Sequence, residues 1–221
     1  MVTAVAQSAA ELHKNVPPDW YHASLRINPL QRFWHRRRFR AVQRLLERHP
    51  GGCIVDVGCA DGVFTNVVYE HALPARIDAV DVLPASVAWA AQHWSGIPQL
   101  HFSVADAHAL PFASAAADVV TCFEMLEHVH DPDKALCEMH RVLKPGGYAL
   151  LLVPADTLLF RCIWAVWTKT RGAIWDDTHI QSFRRGSLGG YAERAGFDVE
   201  VRHRFLLGML DLFKVRKPQE A

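Results

Sequence analysis

Residues 52 to 62 read Gly-Cys-Ile-Val-Asp-Val-Gly-Cys-Ala-Asp-Gly, and this stretch indicates the fold of the chain. A short β-branched, apolar run ends around Asp56, and a turn of small residues follows (Gly58, Ala60, Gly62) before a helix-like stretch opens. A buried strand that runs into a small-residue turn and a helix N-terminus is how an α/β sheet brings its backbone close to a nucleotide-like ligand.

The residues of this turn favour a cationic ligand over a dinucleotide. A carboxylate beside the turn would repel a pyrophosphate, but it suits a ligand that carries an ammonium group. The dinucleotide fingerprint G-x-G-x-x-G is also broken, because Ala60 and Val63 stand at its second and third glycine positions. We therefore expect a cationic ligand that contains adenosine.

The whole chain has the composition of an ordinary globular protein. It has 221 residues, is 50% hydrophobic and carries a formal net charge of +1, so it can bury a substantial core and is not a polyanion binder overall. Five cysteines, an odd number without a C-x-x-C pair, indicate reduced thiols and a cytoplasmic protein. Residues 1 to 19 lack the apolar core of a secretory signal, and no apolar run is long enough to span a bilayer.

From position 52 onward, short apolar runs alternate with amphipathic segments, as they do in a parallel α/β sheet. The last two strands are separated by a short link containing glycine, and we expect them to form an antiparallel hairpin at the sheet edge. We expect helices to begin near Gly62, Pro84 and Pro132, the last ending at 144–147, and a further helix over 182–195. The predicted strands are Cys53–Val57, Arg76–Val82, Leu100–Ala105, Ala117–Phe123, Tyr148–Val153, Asp198–Phe205 and Met209–Val215.

Acidic residues stand at the ends of three consecutive predicted strands. Asp81, near the end of the second strand, is placed to accept hydrogen bonds from the two ribose hydroxyls of a nucleoside. Asp106, after the third strand, is placed to accept from the amine of an adenine. Each acid alone has an ordinary explanation as a helix cap or turn former. The three together, with the glycine turn, favour a nucleoside site.

These motifs resemble the class I S-adenosylmethionine-dependent methyltransferases over residues 52 to about 154. The resemblance is carried by VDVGCADG, DVLPASV, ADAHALPF, DVVTCFEMLEHV and RVLKPGG. It implies a Rossmann-like α/β fold with a mostly parallel seven-stranded sheet and an antiparallel C-terminal hairpin, and S-adenosylmethionine as cofactor. The residues that it places at the cofactor are Asp56, Gly58, Ala60 and Gly62 near the methionine part, Asp81 with Val82 at the ribose, Asp106 with Ala107 at the adenine, and Phe123 with Glu124 on the far side.

The stretch TCFEMLEHVHDP, which contains Glu124-Met125-Leu126-Glu127-His128, closely resembles its counterpart in ubiquinone-biosynthesis O-methyltransferases. It is also similar to a motif of terminal-ribose methyltransferases of small RNAs, in which a later histidine, here matched by His179, completes a divalent metal site. Three roles therefore stay open. Either Glu124, Glu127, His128 and His179 bind a metal such as Mg²⁺, or Glu127, His128 and His179 form a metal-free catalytic set with a histidine as general base. A loop-orienting role for the Leu-Glu-His turn is the third alternative.

Two segments flank this core. Residues 1–50 are expected to form a basic helical extension, with a cationic helix over 26–48 and the Trp20-Tyr21 region as a lid over the cofactor. Its arginines suit a solvated face, an acidic membrane surface or a phosphate-bearing substrate, and RNA less well because no stacking module accompanies them. In the domain of residues 51–221, the resemblance assigns residues 155–181 to an acceptor pocket. The dense apolar side chains of 158–175 also fit a core helix or a dimer contact.

We therefore predict an enzyme that methylates an oxygen of a small, largely apolar acceptor, with a lipid-like acceptor and contact with the inner face of the membrane as open alternatives. Two other classes remain. One is a nucleic-acid methyltransferase that uses the arginine-rich helix, and the other is a non-catalytic cofactor-binding protein. The sequence leaves the acceptor and the oligomeric state open.

Overall fold

The computed structural model describes residue 13 and residues 16–169 and 180–219. Seven strands form one sheet in the order β3-β2-β1-β4-β5-β7-β6. All neighbouring strands are parallel except for β7, which runs antiparallel to both β5 and β6. The predicted sheet and its C-terminal hairpin are confirmed. The strands are β1 Cys53–Val57, β2 Arg76–Asp81, β3 Leu100–Val104, β4 Ala117–Phe123, β5 Leu143–Pro154, β6 Asp198–Phe205 and β7 Leu210–Arg216.

Helices cover both faces of the sheet. Side chains of α2 and α3 pack into one apolar cluster, and those of α5 and α7 pack into another on the opposite face. Within the described residues, no helix is long and apolar enough to cross a membrane. The helices are α1 Trp20–Ile27, α2 Pro29–Leu45, α3 Val63–Ala72, α4 Pro84–His93, α5 Pro132–Val142, α6 Leu158–Thr168 and α7 Leu188–Arg194.

The position of β1 explains where a ligand site forms. Its side chains alternate between the two clusters, with Ile54 on one face and Val55 and Val57 on the other, so the strand is apolar almost throughout. The chain builds β2 and β3 on one side of β1 and then crosses to β4 on the other. In open α/β sheets, a crevice opens at such a switch point, beyond the carboxyl ends of the strands.

Three features differ from the sequence prediction by more than one residue at an element boundary. The single basic helix over 26–48 is two helices, because the side chain of Asn28 caps α2 and Pro29 has no N–H with which to continue α1. The turn at 144–147 lies inside β5 as an irregularity in its pairing with β4. The helix expected over 182–195 contracts to α7 and follows a short 3₁₀ turn.

Candidate active site

Two cavities open side by side at the carboxyl edge of the sheet. The first, the strand-end crevice, runs along the ends of β1, β2, β3 and β4. The second, the helix-walled cavity, lies between α1, α2, α6 and the segment after β4. Both cavities are lined by Trp20, Tyr21, Glu124 and His128. These four residues therefore form the junction at which a ligand in one cavity would meet a ligand in the other.

The floor of the strand-end crevice is the small-residue turn after β1. Gly58 has a φ of 82°, and a Cβ there would lie 2.5 Å from Cγ of Met125, so glycine is required both by its conformation and by the packing. Ala60 has a φ of 46°, a left-handed conformation that costs a residue with a side chain about 1 kcal/mol. Its backbone N–H donates to Oδ2 of Asp81 over 2.8 Å, which holds the turn in place.

Asp81 and Asp106 both line the crevice, as the sequence predicts. Asp81 also accepts from the backbone N–H of Leu83 over 2.9 Å, so each of its oxygens has one protein donor and further acceptor capacity. Burial raises the pKa of Asp81 above its ordinary value. Asp106 accepts from the backbone N–H of His108 over 2.9 Å and contacts the His108 ring through Nδ1 over 2.7 Å. Asp81 is thus fixed by its own loop and by the turn after β1, and Asp106 is fixed by its own loop.

Two residues of the predicted set do not line the crevice. Asp56 is 1% exposed, and its carboxylate accepts from the hydroxyls of Thr65 and Thr121 over 2.6 and 2.7 Å, so it ties β1 to α3 and β4. Gly62 faces the ring of Phe102 and the indole of Trp94, where a Cβ would lie within 2.9 Å of their atoms. Both residues are therefore packed against other elements of the protein and do not face the crevice.

Asp61 was not among the residues predicted to contact the cofactor, but it lies at the crevice. It lines the crevice while only 1% exposed, and it accepts from the backbone N–H of His22 over 2.8 Å. Burial raises its pKa to about 6. The sequence carries a signal for this residue, since Asp61 precedes Gly62 directly in the quoted turn, but an acid before a glycine is also an ordinary turn former.

The N-terminal segment covers both cavities. Trp20 and Tyr21 of α1 line the crevice and the helix-walled cavity, and Pro17 and Pro18 continue the cover over the crevice. The bond from His22 to Asp61 fastens this segment to the turn after β1. The predicted position of the Trp20-Tyr21 region above the strand ends agrees with this geometry.

Arg38 points into the protein, contrary to the prediction that the arginines of this region form one solvent-facing set. It is 3% exposed, and its Nη1 forms an ion pair with Glu124 at the junction. The guanidinium also lies over the rings of Tyr21 and Phe64, 5.6 and 5.3 Å from their centroids. A helical signal was available, because Trp34, Ala41, Val42 and Leu45 flank position 38 on the apolar face of α2.

A chain of hydrogen bonds extends from Arg38 to α1. Since arginine only donates, Nη2 must donate to Nδ1 of His35, which leaves the proton of that ring on Nε2. His35 Nε2 then donates to Oγ of Ser24 over 2.8 Å, and Ser24 donates to the carbonyl of Tyr21 over 2.8 Å. Burial and the charge of Arg38 lower the pKa of His35 to about 2, so the ring stays neutral. Glu124 is thus connected to the segment that covers the site.

Glu127 lines the helix-walled cavity and is 2% exposed. Its Oε2 has no hydrogen-bond partner among the described residues. Burial raises the pKa of this carboxyl to about 8, with Arg38 opposing the shift. Its backbone carbonyl accepts from the N–H groups of Ile180 and Gln181, which fixes the segment after β4 against the chain beyond α6. Glu127 is therefore a buried polar group with capacity for a ligand.

The predicted metal set does not fit these residues. Glu124 already has a cationic partner in Arg38, and no group of three or more His, Cys, Asp or Glu side chains among the described residues is arranged to hold a metal ion. His179 lies outside the described residues, so the structure does not place it. We therefore propose no metal-dependent step for this site.

The walls of the helix-walled cavity are mostly apolar and aromatic. Trp34 of α2 faces it from one side, and Phe160, Trp164 and Trp167 of α6 face it from the other. Helix α6 is the described part of the predicted insertion, and residues 170–179 lie outside the described residues. An apolar pocket with a few polar groups at one end is the usual form of a small-molecule site.

Comparison with known proteins agrees with this architecture. A sequence profile described as a methyltransferase domain matches residues 30–201. A probable S-adenosylmethionine-dependent methyltransferase of Mycolicibacterium smegmatis is 28% identical over 170 residues, which are 77% of this chain and 61% of that protein. A ubiquinone biosynthesis O-methyltransferase of Pseudomonas paraeruginosa is 32% identical over 155 residues, which are 68% of this chain and 66% of that protein. The chain thus matches about two thirds of the length of these curated relatives.

A solved structure supports the fold. A Haloferax volcanii protein described as a putative methyltransferase, in complex with the Trm112 methyltransferase activator, superposes with a TM-score of 0.75. The superposition covers 98% of each chain at 17% sequence identity. At that identity the likeness establishes the shared fold and nothing further about ligands or partners.

Proposed function

The chain belongs to the class I S-adenosylmethionine-dependent methyltransferases, and from that membership we propose that it transfers the cofactor's methyl group to an oxygen of a small, largely apolar acceptor. The observation that carries this proposal is the meeting of an acid-lined crevice and an aromatic-walled cavity at Trp20, Tyr21, Glu124 and His128. A methyl donor in the first and an acceptor in the second would place the two reacting atoms at that junction, and positioning is most of what this reaction needs.

The cofactor fits the crevice by chemistry. We assign the ribose hydroxyls to Asp81, whose oxygens retain acceptor capacity, and the adenine to Asp106 and Ala107 at the end of β3. The methionine part would lie over Gly58 and Ala60, with its ammonium group near Asp61. Asp61 replaces Asp56 in this assignment, because Asp56 is occupied by two threonine hydroxyls behind the turn.

The reaction is a direct displacement. A lone pair of the acceptor oxygen forms a bond to the methyl carbon, and the electrons of the broken carbon–sulfur bond remain on sulfur as S-adenosylhomocysteine is released. The hydroxyl proton goes to His128, which lies at the junction and is the described histidine of the predicted catalytic set. Glu127, with its unpartnered Oε2, would hold the acceptor by a hydrogen bond.

An oxygen acceptor is supported by the O-methyltransferase named among the relatives and by the apolar walls, which suit a hydroxylated aromatic or lipid-like molecule. The charge of the cavity disfavours the nucleic-acid alternative, since a polynucleotide needs a basic groove, and Arg38, the one arginine or lysine among the described lining residues, is paired with Glu124. Absence of RNA binding at low salt would remove that alternative.

The test has two stages. Calorimetric titration with S-adenosylhomocysteine should show binding, and failure to bind would contradict the cofactor assignment. Turnover of labelled S-adenosylmethionine should then be measured on a panel of hydroxylated, amine and carbon acceptors. We expect methylation of a hydroxylated apolar acceptor, unchanged by chelator. Binding without any turnover would favour the non-catalytic alternative.

Variants of His128 and Trp164 test which residues take part in proton transfer and in acceptor binding. With an accepted substrate, His128→Gln should lower kcat by about 100-fold or more, as expected for loss of a general base. His101→Gln, at an exposed site on β3, is the matched control and should leave kcat unchanged. Trp164→Ala should raise the KM of the acceptor and leave the affinity for S-adenosylhomocysteine unchanged, because Trp164 lines only the helix-walled cavity.

A further inference from the structure

Exposed apolar side chains are concentrated at the mouth of the helix-walled cavity. Ten large hydrophobic residues are exposed in the described part of the chain, and six of them lie on α2 and α6. Leu30 is 74% exposed, Leu158 is 77% exposed and Val166 is 67% exposed, so most of the surface of each of these apolar side chains is in contact with water. An apolar patch that stays exposed commonly marks an interaction surface. The six residues are Leu30, Phe33, Leu158, Leu159, Ile163 and Val166.

The two helices border one opening. Leu30 of α2 and Ile163 of α6 each line the helix-walled cavity while remaining exposed, so each helix carries apolar surface from the interior of the cavity to the outside. Leu30 and Ile163 therefore lie at the rim of the cavity that we assign to the acceptor, and the other four exposed apolar residues lie on the same two helices.

The same surface continues into a row of arginines. Positions 30, 33, 37, 40 and 44 recur at helical spacing, so Leu30, Phe33, Arg37, Arg40 and Arg44 form one stripe along α2, and all five are exposed. No acidic residue occurs between Trp20 and Leu45. No carboxylate of the same helix therefore neutralises the charge of this stripe.

We propose that this stripe and the exposed apolar residues of α6, together the docking face, rest on an anionic lipid bilayer so that the acceptor enters the cavity from the membrane. A helix with an apolar patch beside a basic row suits the boundary between acyl chains and phosphates, where leucine and phenylalanine enter the apolar layer and arginines pair with phosphate. The docking itself is independent of catalysis, and only the entry of the acceptor rests on the proposed function.

Charge and apolarity together select this partner. A nucleic acid would satisfy the arginines but would leave the apolar rim in water. A protein partner would need acidic and apolar surface in the same arrangement. An anionic bilayer presents phosphates next to apolar acyl chains over its whole surface. Binding should therefore require anionic lipid and should weaken as salt screens the arginines.

The primary experiment uses the full chain and extruded vesicles. Co-sedimentation is measured with vesicles of phosphatidylcholine alone and with vesicles that contain one third phosphatidylglycerol, at low and high salt. We expect binding to the anionic vesicles that falls at high salt and little binding to the neutral ones. Failure to bind anionic vesicles at low salt, or equal binding to both compositions, overturns the proposal.

Matched variants test which surface binds. Phe33→Asp and Leu158→Asp change the docking face without lining either cavity, and each should lower vesicle affinity at least about tenfold. The control is Leu73→Asp, at a 47% exposed leucine between α3 and β2 that lines neither cavity. Arg37→Gln should cost about fivefold in affinity, and Arg194→Gln on α7, across the sheet, should cost nothing. Equal losses from test and control variants would overturn the assignment of the surface.

Titration with S-adenosylhomocysteine on the same proteins separates the two proposals. Normal cofactor binding without vesicle binding contradicts the docking face alone. Vesicle binding without cofactor binding contradicts the proposed function and leaves the docking face standing. Because cofactor binding also reports a folded site, a Phe33→Asp or Leu158→Asp variant that retains it but loses vesicle binding supports the docking face directly.

Discussion

The strand-end crevice and the helix-walled cavity meet at the same residues but are built in opposite ways. The crevice is formed by backbone turns and short carboxylates at the ends of four neighbouring strands. The cavity is formed by long side chains of α1 and α2, which follow each other directly, and of α6, which lies far along the chain from both. The crevice thus depends on the register of one sheet, whereas the cavity depends on how separate helices pack. A change in the crevice should therefore affect the cofactor, and a change in the cavity wall should affect stability or the acceptor.

The largest expected effect is on the cavity side. Arg38→Met should lower the free energy of unfolding by about 3 kcal/mol, because it removes one partner of a buried ion pair. This value is at the lower end for such pairs, since Glu124 keeps 14% exposure. Arg36→Met, at an exposed arginine of the same helix, should change it by less than about 0.5 kcal/mol. Urea unfolding measures both, and equal effects would mean that Arg38 is not part of the packing.

On the crevice side, Asp81→Ala should weaken S-adenosylhomocysteine binding by about 1.5–3 kcal/mol, the range for a hydrogen bond to a charged group. The variant also removes the acceptor that holds the N–H of Ala60. Asp78→Ala on the same strand is the control, because Asp78 pairs with exposed Arg76 away from the crevice. Unchanged affinity in calorimetry would show that the ribose assignment is wrong.

Gly58→Ala separates conformational strain from close packing in the crevice floor. Gly58 and Gly51 have nearly the same φ, 82° and 81°, but a Cβ at Gly51 would contact nothing within 4 Å. Any extra loss of unfolding free energy at Gly58, expected to be about 1–3 kcal/mol, therefore measures the clash with Met125. Equal losses of unfolding free energy in Gly58→Ala and Gly51→Ala would mean that the turn can shift at no cost.

The smallest effect is a pH dependence of cofactor affinity. The raised pKa of Asp61, about 6, means that this carboxylate is ionised above pH 6 and loses its charge as the pH falls below that value. A cationic ligand favours the ionised form, so affinity should be constant above about pH 7 and fall by at most about tenfold per unit below pH 6. Calorimetry from pH 5 to 8 tests this.

Two replacements assign that pH dependence. Asp61→Asn should flatten the curve. Asp56→Asn should leave its shape unchanged although burial also raises the pKa of Asp56 to about 6, because Asp56 does not face the crevice. For both carboxyls the folded-state pKa exceeds the ordinary value, so ionisation disfavours the folded state. Their contribution to stability should therefore increase as the pH falls from about 6 toward 4. A steeper pH dependence of cofactor affinity in Asp56→Asn would contradict the assignment of that dependence to Asp61.

The sheet, the crevice and most of the acidic residues that line the crevice could be predicted from the sequence. Parallel strands read as short apolar runs, their carboxyl ends meet at one edge, and a residue at the end of a strand is therefore placed by local pattern alone. The sequence did not show that Asp61, and not Asp56, lines the crevice. Asp56 faces away because its carboxylate accepts hydrogen bonds from Thr65 and Thr121, which lie on other elements.

The helix-walled cavity could not be predicted from the sequence, because it forms only when distant helices pack together. Composition indicated an apolar insertion and a basic helix, but not that α2 and α6 face each other across one opening or that Arg38 turns inward to Glu124. A helix offers several faces, and its buried face is selected by contacts with residues far away in the chain. Strand ends are fixed by hydrogen-bonded register, whereas helix walls are fixed by long-range packing, and for that reason the first could be read from the sequence and the second could not.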